Sequence, residues 1–282
     1  MNLLTFDIEP WFLSYDPQHV PLGQWSSLPA RIEEIIPALL QFLDQQQTKG
    51  TFYIMGWVAE RFPEAVHAIA RAGHEIGYHS YYHTPPENQS QKAFEEDLEK
   101  GLHLLTSITG TAVTHYRAPR FSLGFHTGWV IPILLNHGIT TSSSVMGGRR
   151  QADRQIPHTP FIFDYQGHQL VEFPLNRKNT LGFQWVYTGS GYLRLLPMTI
   201  LQHLYAKNTY NMAYFHPRDF DTNAARTPLL PWYRNLMSNL GNNTTIPKLT
   251  QLIQHHHFQT IGQAASEISI HQLPILKTKD NR

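Results

Sequence analysis

The sequence predicts an α/β fold in which parallel strands alternate with helices and close into a barrel. Short apolar runs such as Leu3–Ile8 have the composition of strands that are buried on both faces. Between these runs lie longer stretches with apolar residues at helical spacing, the first at 31–47. Charged and histidine residues directly follow several predicted strands. A barrel is favoured over an open sheet because it gathers such residues at one rim, formed by the carboxyl ends of its strands.

The predicted elements follow a β-α-β order that is interrupted once. Gly50 opens the second strand and Gly73 ends the second helix, as expected where a helix stops. The interruption is a pair of apolar runs around 166–168, which predicts an inserted β-hairpin. In order, the elements are strand Leu3–Ile8, helix 31–47, strand Thr51–Ile54, helix 59–72, strand Glu75–Tyr78, helix 91–108, strand 114–116, helix 128–136, strand 141–145, hairpin strands Phe161–Tyr165 and 169–173, helix 195–206, strand Asn211–Phe215, helix 246–256 and strand 258–261.

Length and composition predict one domain. The 282 residues are 41% hydrophobic, enough to bury a sizeable core, and no linker, repeat or low-complexity segment divides them. We expect a single barrel domain over residues 1–270. Residues 271–282 are mostly polar and are expected to form a frayed tail.

Charge and residue usage indicate which binding partners and which cellular location to expect. A formal net charge of +1 argues against nucleic acid as the main partner. With no cysteine, the chain has neither disulfides nor thiolate metal sites. No run approaches the roughly eighteen apolar residues of a membrane span, and the first seven residues lack the basic start of a signal peptide. A cytoplasmic enzyme is therefore expected, with its oligomeric state open, a homo-oligomer included.

Two histidines and two carboxylates have the spacing of a metal site. His79 and His83 are four residues apart, so both imidazoles can lie on one helical or turn face and bind one ion. Asp7 and Glu9 are two apart, so on a strand both carboxylates point to one side, where they repel unless a cation or proton separates them. Chance spacing explains the histidines equally well, and solvent exposure explains the carboxylates. Both pairs come after predicted strands, and this common location favours a metal site.

Arg117 and His216 also follow predicted strands. A guanidinium can hold a carboxylate through two hydrogen bonds, so Arg117 is a candidate partner for Asp7. His216 can act as a general acid near neutral pH, or it can be an ordinary hydrogen-bonded core histidine. His255-His256-His257 is assigned no role, because consecutive helical residues point about 100° apart.

In their order along the chain, these residues resemble the polysaccharide deacetylase family, also called carbohydrate esterase family four or the NodB-homology fold. More narrowly, the chain resembles the branch associated with exopolysaccharide and capsule loci. The matching stretches are Thr5-Phe6-Asp7-Ile8-Glu9, Gly56-Trp57-Val58-Ala59-Glu60-Arg61-Phe62-Pro63, Gly73-His74-Glu75-Ile76-Gly77, His79-Ser80-Tyr81-Tyr82-His83, Tyr116-Arg117-Ala118-Pro119, Gly191-Tyr192-Leu193-Arg194-Leu195-Leu196-Pro197 and Tyr214-Phe215-His216-Pro217.

The resemblance implies a distorted (β/α) barrel of about seven parallel strands that removes N-acetyl groups from an N-acetylhexosamine-containing glycan. It implies Asp7 as general base, with Arg117 orienting it, and His216 as general acid. Glu9, His79 and His83 would bind Zn²⁺ or another divalent ion, although many family members carry Asp where this chain has Glu9. Glu172 is a candidate partner for His216. Residues expected to contact substrate are Tyr82, Pro119, Arg120, Glu172, Tyr192 and Arg194.

Two other functions stay open at this point. A barrel of this kind can also hydrolyse a non-sugar amide, such as a cyclic ureide or imide, because the fold and metal do not fix the substrate. The chain can also be a glycan-binding module without turnover, in which aromatic residues such as Tyr81, Trp185 and Tyr187 stack on sugars. The complete set of candidate catalytic residues favours an enzyme.

Overall fold

The computed structural model describes residues 1–14, 20–147, 150–151, 154–180, 183–223 and 239–278, together with residues 232 and 236. The strands are β1 Asn2–Ile8, β2 Thr51–Ile54, β3 Glu75–Tyr78, β4 His115–Tyr116, β5 Thr141–Ser142, β6 Arg150–Gln151, β7 Arg154–Gln155, β8 Phe161–Tyr165, β9 His168–Glu172, β10 Lys178–Thr180, β11 Phe183–Trp185, β12 Asn211–Phe215, β13 Phe258–Gln259 and β14 Ile275–Thr278. The helices are α1 Ile32–Gln45, α2 Gly56–Arg61, α3 Pro63–Arg71, α4 Gln91–Thr109, α5 Val130–Asn136, α6 Ser190–Leu195, α7 Met198–Lys207, α8 Asn242–His255 and α9 Ile261–Glu267.

Most strands join one sheet, and its centre is parallel. The sheet order is β12-β1-β2-β3-β4-β5-β9-β8-β14, with β13 paired to β1. From β12 to β9 every neighbouring pair is parallel, which gives seven parallel strands and confirms the predicted α/β class. Because these strands point the same way, the residues that follow them meet at one rim, as the prediction requires.

Side chains, not a strand ladder, join the two ends of the parallel set. In the described ranges no ladder links β12 to β9. Instead, the amide of Asn176 accepts from the Met212 N–H at 3.0 Å and donates to the Tyr210 carbonyl at 3.1 Å. The Tyr210 hydroxyl in turn donates to the Pro174 carbonyl at 2.8 Å. The barrel is therefore distorted between β9 and β12. We call this place the seam; here hydrogen bonds of the Asn176 side chain take the place of a strand ladder.

The predicted hairpin forms and is part of the main sheet. Strands β8 and β9 are antiparallel, and both residues between them have positive φ, 54° at Gln166 and 90° at Gly167. A two-residue turn of this kind suits the twist of the flanking strands. The second strand, β9, also pairs with β5 and completes the parallel set. Thus, of the two hairpin strands, only β8 runs against the parallel set.

The predicted helix at 59–72 is two helices. It divides at Phe62, because Pro63 lacks the N–H that a continuous helix needs and instead begins α3. The predicted helix at 195–206 begins at Met198, directly after Pro197, and a separate short helix, α6, precedes it.

The prediction of a frayed tail after residue 270 is wrong for Ile275–Thr278. These residues form β14, which pairs in parallel with β8 at the edge of the sheet. Isoleucine and threonine suit a strand, and the free backbone of β8 supplies the partner. Such pairing is not visible in the composition of a short polar segment. Across the described residues, no helix is long and apolar enough to cross a membrane.

Candidate active site

Asp7 and Arg117 form a buried ion pair inside the barrel rim. The Arg117 guanidinium donates to Asp7 Oδ1 at 2.6 Å and to the Thr5 hydroxyl at 3.0 Å. It also donates from Nε to the Ser143 carbonyl at 3.0 Å and lies 4.1 Å from the centre of the Tyr53 ring. A buried charge needs such partners, and this network fixes the orientation of the Asp7 carboxylate. The predicted pairing of Arg117 with Asp7 is therefore present.

Glu9, His79 and His83 bring three ligand atoms together. The Glu9 Oε2 atom lies 2.9 Å from His83 Nε2 and 4.0 Å from His79 Nε2. One potential ligand atom from each residue lies within 4.8 Å of the others, and no second group of three such residues occurs in the described part of the chain. All three side chains are largely buried. The residues predicted to bind metal thus converge.

The donor set fits a divalent cation. His79 Nδ1 lies 2.8 Å from the Arg117 carbonyl, so the N–H is on Nδ1 and the lone pair of Nε2 faces the cluster. Burial lowers the pKa of His79 to about 4, which keeps the imidazole neutral as a metal ligand must be. Burial opposes ionisation of Glu9, but the charges of His83 and His216 outweigh it and hold its pKa well below the ordinary value. The imidazoles of His79 and His83 and the carboxylate of Glu9 form an open donor set for zinc.

The two histidines lie on an irregular loop and not on a helix. Ser80 and His83 both have left-handed backbone conformations, with φ of 60° and 57°. Asp97, on α4, holds this loop from below: its Oδ2 accepts from the Tyr81 N–H at 2.9 Å and from the Ser80 hydroxyl at 3.2 Å. The four-residue spacing therefore works through a loop that Asp97 supports. Asp97 was not predicted, because nothing in the sequence links it to that loop.

His216 is paired with Asp219. The backbone N–H of His216 donates to Asp219 Oδ2 at 2.8 Å, and His216 Nδ1 lies 3.3 Å from the same atom. Ser190 joins the pair, with its hydroxyl 3.0 Å from His216 Nδ1 and 2.9 Å from Asp219 Oδ2. Burial disfavours protonation of His216, yet the charge of Glu9 and the hydrogen bond with Asp219 raise its pKa above the ordinary value. His216 Nε2 is left facing Glu9 Oε1 at 3.5 Å.

The prediction that Glu172 partners His216 is wrong. Glu172 is buried, and its Oε1 accepts from the backbone N–H groups of Ser144 and Val145 at 2.7 and 2.9 Å. Burial raises the pKa of Glu172 to about 7. Its side chain thus holds the loop after β5 and does not line the cavity that Glu9 and His216 share. The true partner, Asp219, lies three residues after His216, and an acidic residue at that position of a proline-started turn was an available signal.

Arg194 and Tyr192 do not reach the candidate site as predicted. Arg194 is buried, with its Nη1 atom 3.7 Å from Asp219 Oδ1 and hydrogen-bonded to Asn242. It therefore lies beside Asp219 and does not line the cavity over Glu9 and His216. Tyr192 is partly exposed and packs against Trp185 with ring centres 5.9 Å apart, beside and not within the cavity.

A cavity of about 440 Å³ opens over these residues. Its lining comprises Asp7, Glu9, Leu13, His79, His83, Arg120, Phe121, Met146, Tyr214, His216 and Arg218. Arg120 and Phe121 both have positive φ, 59° and 51°, in the short turn that buried Pro119 begins. This turn sets Arg120 at the wall of the cavity. Two titratable side chains, Asp7 and His216, share this cavity with the three potential metal ligands, and a metal-assisted hydrolase needs such an arrangement.

Family comparison agrees with this class. Residues 2–141 match the family model described as polysaccharide deacetylase, and residues 142–266 match a domain of unknown function, DUF3473. The N-terminal half of the chain belongs to the polysaccharide deacetylase family. Strands from both matched stretches join the same sheet, with β5 on β4 and on β9. The prediction of a single domain over residues 1–270 is not tested by these matches.

Curated relatives match only part of the chain. A peptidoglycan deacetylase from Helicobacter pylori is 34% identical over 111 residues, which are 39% of this chain and 37% of the relative. A peptidoglycan-N-acetylglucosamine deacetylase from Bacillus cereus is 34% identical over 86 residues, 30% of this chain and 31% of the relative. The chain thus spans about a third of the length of these relatives.

Solved structures have a similar fold. A structure described as a candidate polysaccharide deacetylase from Mycobacterium smegmatis has a TM-score of 0.68 at 21% identity, covering 100% of this chain and 93% of that one. A structure described as a CE4 family pseudoenzyme from Bacillus anthracis has a TM-score of 0.52 at 15% identity, covering 99% and 69%. Because the same fold occurs in a pseudoenzyme, activity has to be argued from the site.

Proposed function

We propose that this protein is a metal-dependent N-deacetylase that hydrolyses the acetamido group of an N-acetylhexosamine unit in a glycan. The observation that carries the proposal is the convergence of the Glu9–His79–His83 cluster with Asp7 and His216 on one cavity. A binding module has no need for buried proton-transfer groups beside a metal cluster. The names of the curated relatives support an N-acetylglucosamine-containing substrate.

Glu9, His79 and His83 would hold the ion, and zinc suits this donor set. When bound, such an ion polarises the acetyl carbonyl and makes water acidic enough to react near neutral pH. The chain itself provides the neutral state of His79, through burial, and the ionised state of Glu9, through the neighbouring histidines. Glutamate reaches further from its strand than aspartate, and here Glu9 touches both His83 and His216.

Asp7 would act as the general base. Its carboxylate is oriented by Arg117, and it lines the cavity, where it can take a proton from the attacking water. The backbone N–H of Arg120, in the turn at the cavity wall, would donate to the acetyl oxygen as negative charge develops on it. Water then bonds to the acetyl carbon.

His216 would act as the general acid. Asp219 and Ser190 hold its Nδ1 side, so that Nε2 faces the cavity. Protonated His216 would give its proton to the sugar nitrogen as the carbon–nitrogen bond breaks, which releases acetate and a free amine. The hydrogen bond with Asp219 favours the protonated form of His216, which can donate this proton. The cytoplasmic location and the exopolysaccharide or capsule context stay predictions.

Acetate release from N-acetylglucosamine oligomers tests the proposal. We expect the purified protein to contain a divalent ion and to release acetate, with a loss of activity after chelation and recovery with Zn²⁺. Asp7→Asn should keep the ion and lose at least a hundredfold in kcat, because it removes the base. Release from a cyclic ureide or imide but from no glycan would replace this proposal with the non-sugar amidohydrolase. An ion-free protein that binds glycan without releasing acetate would identify a binding module.

A further inference from the structure

A buried run of three serines at the end of β5 contacts two parts of the candidate active site. We call residues 142–145 the serine segment; all four are buried. Ser143 accepts two hydrogen bonds from the Arg117 guanidinium, at its carbonyl from Nε at 3.0 Å and at its hydroxyl from Nη2 at 2.8 Å. Arg117 in turn donates to Asp7 at 2.6 Å. The position of the serine segment therefore determines the orientation of the proposed base.

The same segment holds the turn whose N–H is proposed to donate to the acetyl oxygen. The Ser144 hydroxyl accepts from the Ala118 N–H at 2.8 Å, and the Ser144 carbonyl accepts from the Leu123 N–H at 3.0 Å. These two bonds hold the turn at both ends, and Arg120 lies between them with a φ of 59°. A positive φ is unfavourable for a residue with a side chain, so the surrounding structure has to maintain it. The direction of the Arg120 N–H therefore depends on Ser144.

Glu172 fixes the path of the serine segment. This residue ends β9 and lies opposite Ser142 in the parallel ladder. One oxygen of its carboxylate, Oε1, accepts from two consecutive backbone N–H groups, those of Ser144 and Val145, at 2.7 and 2.9 Å. Successive N–H groups of an extended strand point in opposite directions, so a single acceptor for both requires a bend in the chain. The Glu172 side chain thus determines where Ser143 and Ser144 lie.

The charge of Glu172 is unfavourable for stability alone. The side chain is fully buried, and burial raises its pKa to about 7. A glutamine could accept both hydrogen bonds without a buried charge. An ionised carboxylate, however, holds N–H groups about twice as strongly as a neutral acceptor does. What the carboxylate adds is a more firmly held serine segment, which matters where atoms have to be placed for a reaction.

We propose that Glu172 is a positioning residue for deacetylation, which places both the base Asp7 and the Arg120 N–H through the serine segment. This inference rests on the proposed function for the roles of Asp7 and Arg120. It adds that one carboxylate places two groups of the reaction together, one that acts on water and one that acts on the acetyl oxygen. Glu172 does not line the cavity, so it acts only through its neighbours.

A graded series of substitutions at Glu172 tests the inference. Glu172→Gln keeps an acceptor for both N–H groups but loses the charge, whereas Glu172→Met has a similar volume and no comparable acceptor. At pH 8 we expect kcat for acetate release to fall severalfold in Glu172→Gln and by about tenfold to a hundredfold in Glu172→Met. KM and bound metal should be unchanged, because the substitutions affect groups that act in the transition state.

Asp164 provides a matched control for loss of stability. Its carboxylate is also buried and lies on the neighbouring strand β8, where it accepts from the Gly167 N–H at 3.1 Å and from the Gln169 side-chain amide at 3.0 Å. Both partners belong to the hairpin. Asp164→Leu should therefore lower the free energy of unfolding without changing kcat per folded, metal-loaded molecule. All rates are compared at a temperature where every variant is folded.

A double-mutant cycle tests whether Glu172 acts through the serine segment. Ser144→Ala removes the acceptor of the Ala118 N–H but keeps the backbone N–H that binds Glu172. If both residues act on the same turn, the loss of kcat in the double variant should be smaller than the product of the single losses by about threefold or more. The same cycle with Glu172→Gln serves if Glu172→Met does not fold.

The NMR signal of the Arg117 Nε–H group separates this inference from the proposed function. This group donates to the Ser143 carbonyl, so its chemical shift should change in Glu172→Met and stay unchanged in Asp164→Leu. A changed shift in a protein that releases acetate from no glycan would support the positioning by Glu172 and reject the deacetylase assignment. Wild-type kcat in folded Glu172→Met, an equal loss of kcat in Asp164→Leu, fully multiplicative losses in the cycle or an unchanged Arg117 signal overturns the inference.

Discussion

The two ends of the barrel each carry a histidine–glutamate cluster, and only one has the form of a reaction site. At the carboxyl ends of the strands, Glu9 and His83 meet at 2.9 Å in an open cavity. At the amino ends, Glu75 and His115 meet at 3.2 Å. The residue types and the distances are alike. What differs is where the remaining polar atoms of each cluster point.

Internal donors satisfy the cluster at the amino ends. Glu75 accepts from the Thr51 hydroxyl at 2.5 Å and from the Gly262 N–H at 2.9 Å, and His115 Nδ1 lies 2.5 Å from the Thr141 hydroxyl. Together with the Glu75–His115 contact, these bonds fasten the first turn of α9 to the first residues of four strands, β2 to β5. At the other end, the free nitrogens and oxygens converge on one point. Both clusters line a cavity of about 440 Å³. The comparison teaches that the convergence of three potential ligand atoms on one point, and not the residue types or the presence of a cavity, distinguishes the candidate site from a structural cluster.

The largest predicted effect is at the carboxyl-end rim. His216→Asn should lower kcat for acetate release by about a hundredfold or more, because the leaving amine loses its proton donor. The ion content should be unchanged, since His216 is not among the three ligand residues. Kinetics with parallel metal analysis measure both. A normal kcat in this variant would show that His216 is not the general acid. His216 would then have a structural role, as proposed for the Glu75–His115 cluster.

Glu75→Gln tests the opposite expectation at the amino ends. The substitution weakens hydrogen bonds to a charged acceptor, so the free energy of unfolding should fall by about 1.5–3 kcal/mol. At a temperature where the variant is folded, kcat should match the wild type. Urea denaturation and acetate-release kinetics provide the two readouts. Loss of activity in the fully folded variant would contradict a purely structural role for this cluster.

The pH dependence of the free energy of unfolding tests the role of buried Glu172, which lies outside both clusters. Its folded pKa of about 7 lies above the ordinary 4.5, so it stabilises the fold below pH 4.5 and loses that contribution as pH rises through 7. The loss amounts to roughly 3 kcal/mol between pH 4.5 and 8. We expect Glu172→Gln to remove this part of the pH dependence and to be more stable than wild type at pH 8. Parallel slopes in wild type and variant would show that Glu172 does not titrate in this range.

The alternation of strands and helices was predictable, and so was the common placement of Asp7, Glu9, His79, His83, Arg117 and His216, because both depend on local patterns. Apolar runs reveal the strands, and a residue after each strand is placed at the rim by the parallel topology alone. Asp97, Ser143 and Ser190 were not predictable, because each supports the site from an element distant in sequence. Glu172 was assigned wrongly for the same reason: its partners are backbone N–H groups, which no side-chain pattern encodes.

Strand β14 and the Asn176 seam show a second limit of sequence reasoning. Both depend on which backbone groups remain unpaired once the sheet has formed. A strand edge can pair with any suitable extended segment, so a short stretch such as Ile275–Thr278 gives little local signal. The sequence alone does not show whether the side chain of Asn176 lies in the seam or faces solvent.

Metal binding in His79→Ala and His115→Ala compares the two ends most directly. Each variant removes a buried imidazole that lies near a glutamate carboxylate, Glu9 for His79 and Glu75 for His115. Only His79 belongs to the proposed metal site. Calorimetric titration of the metal-stripped proteins with Zn²⁺ should show one tight site in wild type and in His115→Ala. His79→Ala should lose at least a hundredfold in affinity. Equal affinity in wild type and His79→Ala would contradict the assignment of the metal to Glu9, His79 and His83.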